Sequence, residues 1–157
     1  MAETATLKVG DEAPDFELPA SPTGDRFKLS DYTGKNAVIL NFVPAAFSPV
    51  CSDQAKLIEQ KRAEFEGQDA IPVTISVDGP WALKAWKEQM GLNFPVLSDA
   101  NPPGETARKY GVYIAERNVA NRVVIVVNKQ GKVAWIQPAP KPIEIPDYDP
   151  VMACAKD

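Results

Sequence analysis

One cysteine, Cys51, closes the stretch "PAAFSPVC" (44–51), where an apolar run gives way to a proline-bounded loop and then to a helical pattern. Thiols react as thiolates, and a free cysteine with a pKa near ~8.5 is only about 3% ionised at neutral pH. In the first turn of a helix, unpaired backbone N–H groups and the positive dipole end favour an anion. Complete ionisation would gain only ~30-fold, and nucleophilicity falls as the pKa falls. An efficient nucleophile therefore needs donors aimed at developing charge, each worth ~2.7–4 kcal/mol in an oxyanion-hole setting. Near Cys51 the chain offers the Ser48 hydroxyl and the backbone N–H groups of Val50 and Cys51, and needs an arginine from elsewhere. The plainer reading, a cysteine packed as a small buried hydrophobe, stays open on the residues alone.

Composition removes the competing chemistries. There is no histidine, so neither a Ser-His-Asp triad nor a Cys-His pair can form. Two cysteines cannot supply an all-thiolate zinc site, and they are not a disulfide framework. No metal and no cofactor are expected. The net charge of -4 offers no basic stripe for nucleic acid. No apolar run approaches the ~18 residues of a membrane helix, so no membrane partner is expected. The N-terminus "MAETATLKVGDEAPDF" lacks a basic region followed by an apolar one, so no secretory signal is expected, and the expected setting is a reducing cytoplasm.

The elements that must position Cys51 follow from pattern. Residues 37–43 ("AVILNFV") read as a buried strand. A helix follows, with Ser48 as its cap, Leu57, Ile58 and Phe65 on its apolar face, and Gly67 at its end. Residues 70–78 read as a second inner strand, and 80–91, from proline to glycine, as a helix. A short strand and turn are expected at 93–99 and a brief helix within 101–112. The strongest strand, "RVVIVV" (122–127), turns through "NKQG" into 132–137 as a hairpin. "FEL" (16–18) and "FKL" (27–29) flank a turn as a small N-terminal hairpin, and the proline-rich tail reads as extended up to one last short helix. The order implies an α/β fold, a central sheet flanked by helices, in one domain over 1–157. Trp81 and Trp86 read as packing residues, and Glu64, Glu66 and Asp69 as a solvated helix end. Arg108 and Arg117 are lesser candidates for binding substrate or an anion.

The stretch 44–51 fits P-x-x-x-[ST]-x-x-C, and it resembles the active-site loop of the peroxiredoxins. The flanks agree: "VGDEAPDFELP", "FKLSDYTGKNAVILNFVP", "ISVD", "AWKEQMGLNFPVLSD", "ARKYGV" and "NRVVIVVNKQGKV". The similarity runs from about residue 8 to residue 137, and within the family it points to the AhpE-like, one-cysteine-type bacterial subgroup. The resemblance implies a thioredoxin-like fold with a mixed sheet, and reduction of hydrogen peroxide or small organic hydroperoxides by Cys51, which becomes a sulfenic acid. It implies that Arg122 is the active-site arginine, that Ser48 hydrogen-bonds the peroxide, that Pro44 shields the thiolate, and that the Val50 N–H contacts substrate. It further implies a thiol reductant (thioredoxin, a glutaredoxin-like protein or a low-molecular-weight thiol) and a homodimer.

Two departures stand out. Gln54 occupies a position where many relatives have Glu, which bears on how Arg122 is oriented. Cys154, in "DPVMACAKD", is unexplained: it is a candidate resolving cysteine, though a spare thiol on a mobile tail is the preferred reading. Two other functions remain in play. A thioredoxin-like disulfide oxidoreductase would use "SPVC" as a C-x-x-C relic lacking its attacking cysteine. A redox-responsive binding or holdase module would use the fold only as a surface.

Overall fold

The computed structural model describes residues 3–141 and 143–155. The chain opens with the hairpin β1 (Glu17–Pro19) and β2 (Arg26–Lys28), in which Leu18 pairs with Phe27. Only these central residues turn fully inward, as expected of strands with one wet face. Next come β3 (Ala37–Phe42) and α1 (Pro49–Glu66), where proline fills the first helical position and Gly67 ends the helix. β4 (Ala70–Ser76) leads to α2 (Pro80–Met90), which is closed by Gly91 in the left-handed region at φ 66. β5 (Val96–Ser98), α3 (Glu105–Lys109) and a two-residue pair, β6 (Tyr113–Ile114) with β7 (Val119–Ala120), follow. The hairpin β8 (Val123–Val127) and β9 (Val133–Pro138) completes the sheet, and α4 (Asp149–Ala155) ends the described chain.

These elements match the pattern-based expectations apart from local differences. The β6–β7 pair was not expected, since two-residue strands carry too little alternation to stand out. The strand expected from residue 122 begins at Val123, although the Arg122 carbonyl still accepts a hydrogen bond from Ala139 N at 3.1 Å. Ser48 sits at the helix cap in extended geometry, but its hydroxyl makes no capping bond and donates to the Ala45 carbonyl instead, at 3.0 Å. Among the described residues the tail beyond β9 is bent where an extended course was expected, with Glu144 N donating to Lys141 O at 3.0 Å, whereas the last short helix is present as expected. Cys154, however, is not on a mobile tail: it lies partly buried on α4, which packs on β8 and β9 through Val151, Met152 and Ala155. Trp86 is 1% exposed and Trp81 67% exposed, so the two packing tryptophans divide between core and surface.

The main sheet has the order β5-β4-β3-β8-β9. β3 runs parallel to β4 and antiparallel to β8, so the sheet is mixed. Every residue of β3 is buried, which is why this strand reads as a continuous apolar run and not as an alternation. One face (Val38, Leu40, Phe42) packs with Phe16, Phe27 and Tyr110 beneath the N-terminal hairpin and α3. The other (Ala37, Ile39) packs with Cys51, Ala55 and Ile58 of α1, Trp86 of α2 and Val151 of α4. By the two-residue period of a strand, Asn41 falls on this second face. Among the described residues, no helix is long and apolar enough to cross a membrane.

Candidate active site

The site grows out of the end of β3. Val43 still bonds to the edge of β4, its N–H donating to Ile75 O at 3.1 Å, and at Pro44 the chain leaves the sheet. The short loop that follows is pinned where Ala46 N donates to Asp78 Oδ2 at 2.8 Å, and Ser76 Oγ also bonds that carboxylate. Phe47, exposed, takes φ 67, a left-handed conformation that the tight path into α1 requires. The first bond of the helical ladder runs from Ser52 N to Ser48 O at 2.9 Å. The N–H groups of Val50 and Cys51 therefore precede the ladder, as at any helix start. Cys51 lies in this first turn, 0% exposed.

The antiparallel pairing of β3 with β8 brings a cation to the sulfur. Phe42 pairs with Val123, so Arg122 arrives beside the loop that leaves β3. Its backbone is fixed on both sides: Arg122 N donates to Asn121 Oδ1 at 2.9 Å, and its carbonyl accepts from Ala139. The guanidinium, on a residue only 4% exposed, donates through Nη1 to Cys51 Sγ at 3.2 Å and to Gln54 Oε1 at 2.8 Å. A positive charge in hydrogen-bond contact with a buried sulfur stabilises negative charge there, and burial strengthens the attraction.

Gln54 lies one turn beyond Cys51 and is fully buried. Its Nε2 donates to Tyr148 Oη at 2.8 Å, and the Tyr148 hydroxyl donates to Asn41 Oδ1 at 2.5 Å. Asn41 Nδ2 donates in turn to the carbonyls of Val73 at 2.9 Å and Ile39 at 3.2 Å. Burial pushes the Tyr148 phenol well above its ordinary range, so it stays protonated and can donate. Trp86 Nε1 donates to Ser52 Oγ at 3.1 Å, which places an indole beside the residue after Cys51.

Of the site residues expected from sequence, Cys51 and Arg122 are in direct contact, and Pro44, Ser48 and Val50 belong to the loop and first turn that carry the sulfur. Arg108 lies elsewhere, its guanidinium 4.1 Å from the Tyr113 ring centre and bonded to Pro103 O at 2.7 Å. Arg117 is exposed in the β6–β7 connection. Among the described residues, no cluster of three or more His, Cys, Asp or Glu could hold a metal ion. Asn41 and Tyr148 were missed. An asparagine inside the apolar run "AVILNFV" was the available signal for the first, whereas nothing around Tyr148 marks it.

Residues 9–136 match the AhpC/TSA family. The chain belongs to this peroxiredoxin family. It is similar to alkyl hydroperoxide reductase E of Mycobacterium tuberculosis, with 35% identity over 131 residues, 83% of this chain and 85% of that protein. It is likewise 35% identical to a thiol peroxidase of Oceanobacillus iheyensis over 150 residues, 95% of this chain and 88% of that protein. Among solved structures, peroxidoxin BcpB of Mycobacterium tuberculosis superposes with a TM-score of 0.83 at 29% identity, covering 96% of this chain and 97% of that one. The thioredoxin-like fold implied by the sequence resemblance is thus the observed one, and the membership makes this peroxiredoxin a thiol-dependent peroxidase.

Proposed function

We propose that the peroxidatic sulfur is Cys51 and that it reduces hydrogen peroxide and small organic hydroperoxides. The single observation that carries this reading is the 3.2 Å contact between Arg122 Nη1 and Cys51 Sγ at the mouth of α1. The Cys51 thiolate attacks the terminal peroxide oxygen, forming an S–O bond as the O–O bond breaks. The departing oxygen takes a proton and leaves as water or alcohol, and Cys51 becomes a sulfenic acid. Arg122 steadies the negative charge as it moves from sulfur to the departing oxygen. The Ser48 hydroxyl, with its proton committed to Ala45 O, keeps lone pairs to accept a hydrogen bond from the peroxide. The Val50 N–H is available to donate, and Pro44 shields the sulfur.

A thiol then reduces the sulfenic acid. Attack on Cys51 sulfur releases water and forms a mixed disulfide, which a second thiol resolves. The reductant is thioredoxin, a glutaredoxin-like protein or a low-molecular-weight thiol, and the protein works as a cytoplasmic homodimer of one-domain chains. The test is to treat reduced protein with one equivalent of peroxide, trap sulfenic acid with dimedone and digest. The adduct is expected on Cys51, and an unmodified Cys51 with peroxide consumed would refute the assignment.

Cys154 has no part in the oxidation step under this reading. The Cys154→Ser variant is expected to keep the first turnover at the wild-type rate in stopped flow. A Cys51–Cys154 linkage in the oxidised wild type would overturn the preference for an external reductant. Oxidation itself should be visible through Trp86, whose indole bonds the neighbour of Cys51, whereas Trp81 and Trp135 are exposed. Trp86→Phe should therefore lose most of the intrinsic fluorescence change on peroxide addition while still yielding the dimedone adduct. An unchanged fluorescence amplitude would mean that another tryptophan reports the reaction.

A further inference from the structure

The hydrogen-bond chain behind Arg122 has a fixed direction. Arginine can only donate, so the Gln54 oxygen must face it and the Gln54 nitrogen must face Tyr148. At the far end the Val73 and Ile39 carbonyls can only accept, so the Asn41 nitrogen faces them and its oxygen faces Tyr148. The Tyr148 hydroxyl lies between a donor and an acceptor and fits both at once, accepting from Gln54 and donating to Asn41. Reversing any link would leave two donors or two acceptors facing each other in a fully buried place, where an unsatisfied group is costly.

We infer that Tyr148, delivered by the C-terminal segment, is a positioning residue that holds the Arg122 guanidinium on the Cys51 sulfur through Gln54, in a chain built for glutamine at position 54. A carboxylate at 54 would accept from Arg122 equally well. It would also demand the Tyr148 proton, leaving the Tyr148 and Asn41 oxygens opposed. Turning the Asn41 amide to repair that contact would aim its oxygen at the Val73 and Ile39 carbonyls. With glutamine no such conflict arises, and the chain itself adds no charge beside the guanidinium.

This inference rests on the peroxidase role proposed for Cys51 and Arg122, and its test separates the two. Tyr148→Phe keeps the buried ring and removes only the hydroxyl. Gln54→Leu cuts the same link from the helix side and leaves the tail's packing alone. Each is expected to slow Cys51 oxidation by hydrogen peroxide on the order of tenfold, the scale of an orphaned buried hydrogen-bonding group. The two together should be no slower than either alone, and neither should slow the Arg122→Ala protein further. Alkylation of Cys51 by iodoacetamide should not accelerate, because the sulfur stays buried.

Tyr148→Phe and Gln54→Leu oxidising at the wild-type rate would overturn the inference. So would slowing that persists in the Arg122→Ala background together with faster alkylation, which would mark a loosened core and not a displaced arginine. If Arg122→Ala itself reacts at the wild-type rate, the proposed catalytic role of Arg122 falls, and this inference falls with it.

Discussion

Cys51→Ser will consume no hydroperoxide above the rate of buffer, even with a thiol reductant in excess. Serine keeps the size and position of the side chain, so the first turn of α1 and the core around it remain intact, and the variant should melt close to the wild type. What disappears is a group that can be anionic near neutral pH: a thiol ionises near ~8.5, an alcohol far above it. A guanidinium in contact with an alcohol has no negative charge to steady. Cys154 is not expected to substitute, because the sulfur that Arg122 Nη1 contacts is that of Cys51. Coupled turnover with a thiol reductant, run beside the dimedone trap, measures the loss. Residual catalysis of more than a few per cent would mean that the nucleophile is elsewhere.

Arg122→Ala will retain the thiol and still lose at least ~10²-fold in the oxidation rate, the cost of deleting one donor that acts on transition-state charge. Removal also strands the Gln54 oxygen, so some loss of stability accompanies the loss of rate. Arg122→Lys should recover only part of the rate. An ammonium is a point charge on a flexible stem, whereas the guanidinium meets the sulfur and the Gln54 oxygen from one rigid plane. Stopped-flow oxidation of each reduced variant across peroxide concentrations gives the ratio directly. An alanine variant within threefold of wild type would remove Arg122 from the chemistry.

Much of this site is legible in the sequence alone. The loop from Pro44 to Cys51 announced itself through proline, an apolar strand before it and a helical pattern after it. The helix ends, with Pro49 and Gly67, are local signals that physics reads directly. Arg122 is different. Unaided, an arginine at a strand start reads as an ordinary strand-edge salt bridge, and only the family resemblance singles it out. Its contact with Cys51 depends on which strands pair, a property of the sheet and not of any window of residues.

The chain behind the arginine was less legible still. Tyr148 and Asn41 are 107 positions apart, and a tyrosine among prolines and aspartates carries no local signature of burial. Ser48 taught the opposite lesson: cap chemistry was visible in its type and position, yet its hydroxyl bends back to the loop carbonyl, because the tight path through Phe47 brings Ala45 O within reach. Of the competing functions, the disulfide oxidoreductase would need an attacking thiol where this chain has Ser48.

Two of the anchors behind the guanidinium differ in how easily they come undone. Its main chain is anchored at the head of the inner strand β8, bonded to Asn121 and Ala139, whereas its outer brace, Tyr148, comes from the irregular stretch just ahead of the short helix α4. Warming should detune such a catalyst before it denatures, so peroxide turnover becomes a finer gauge of local opening around α4 than any melting curve.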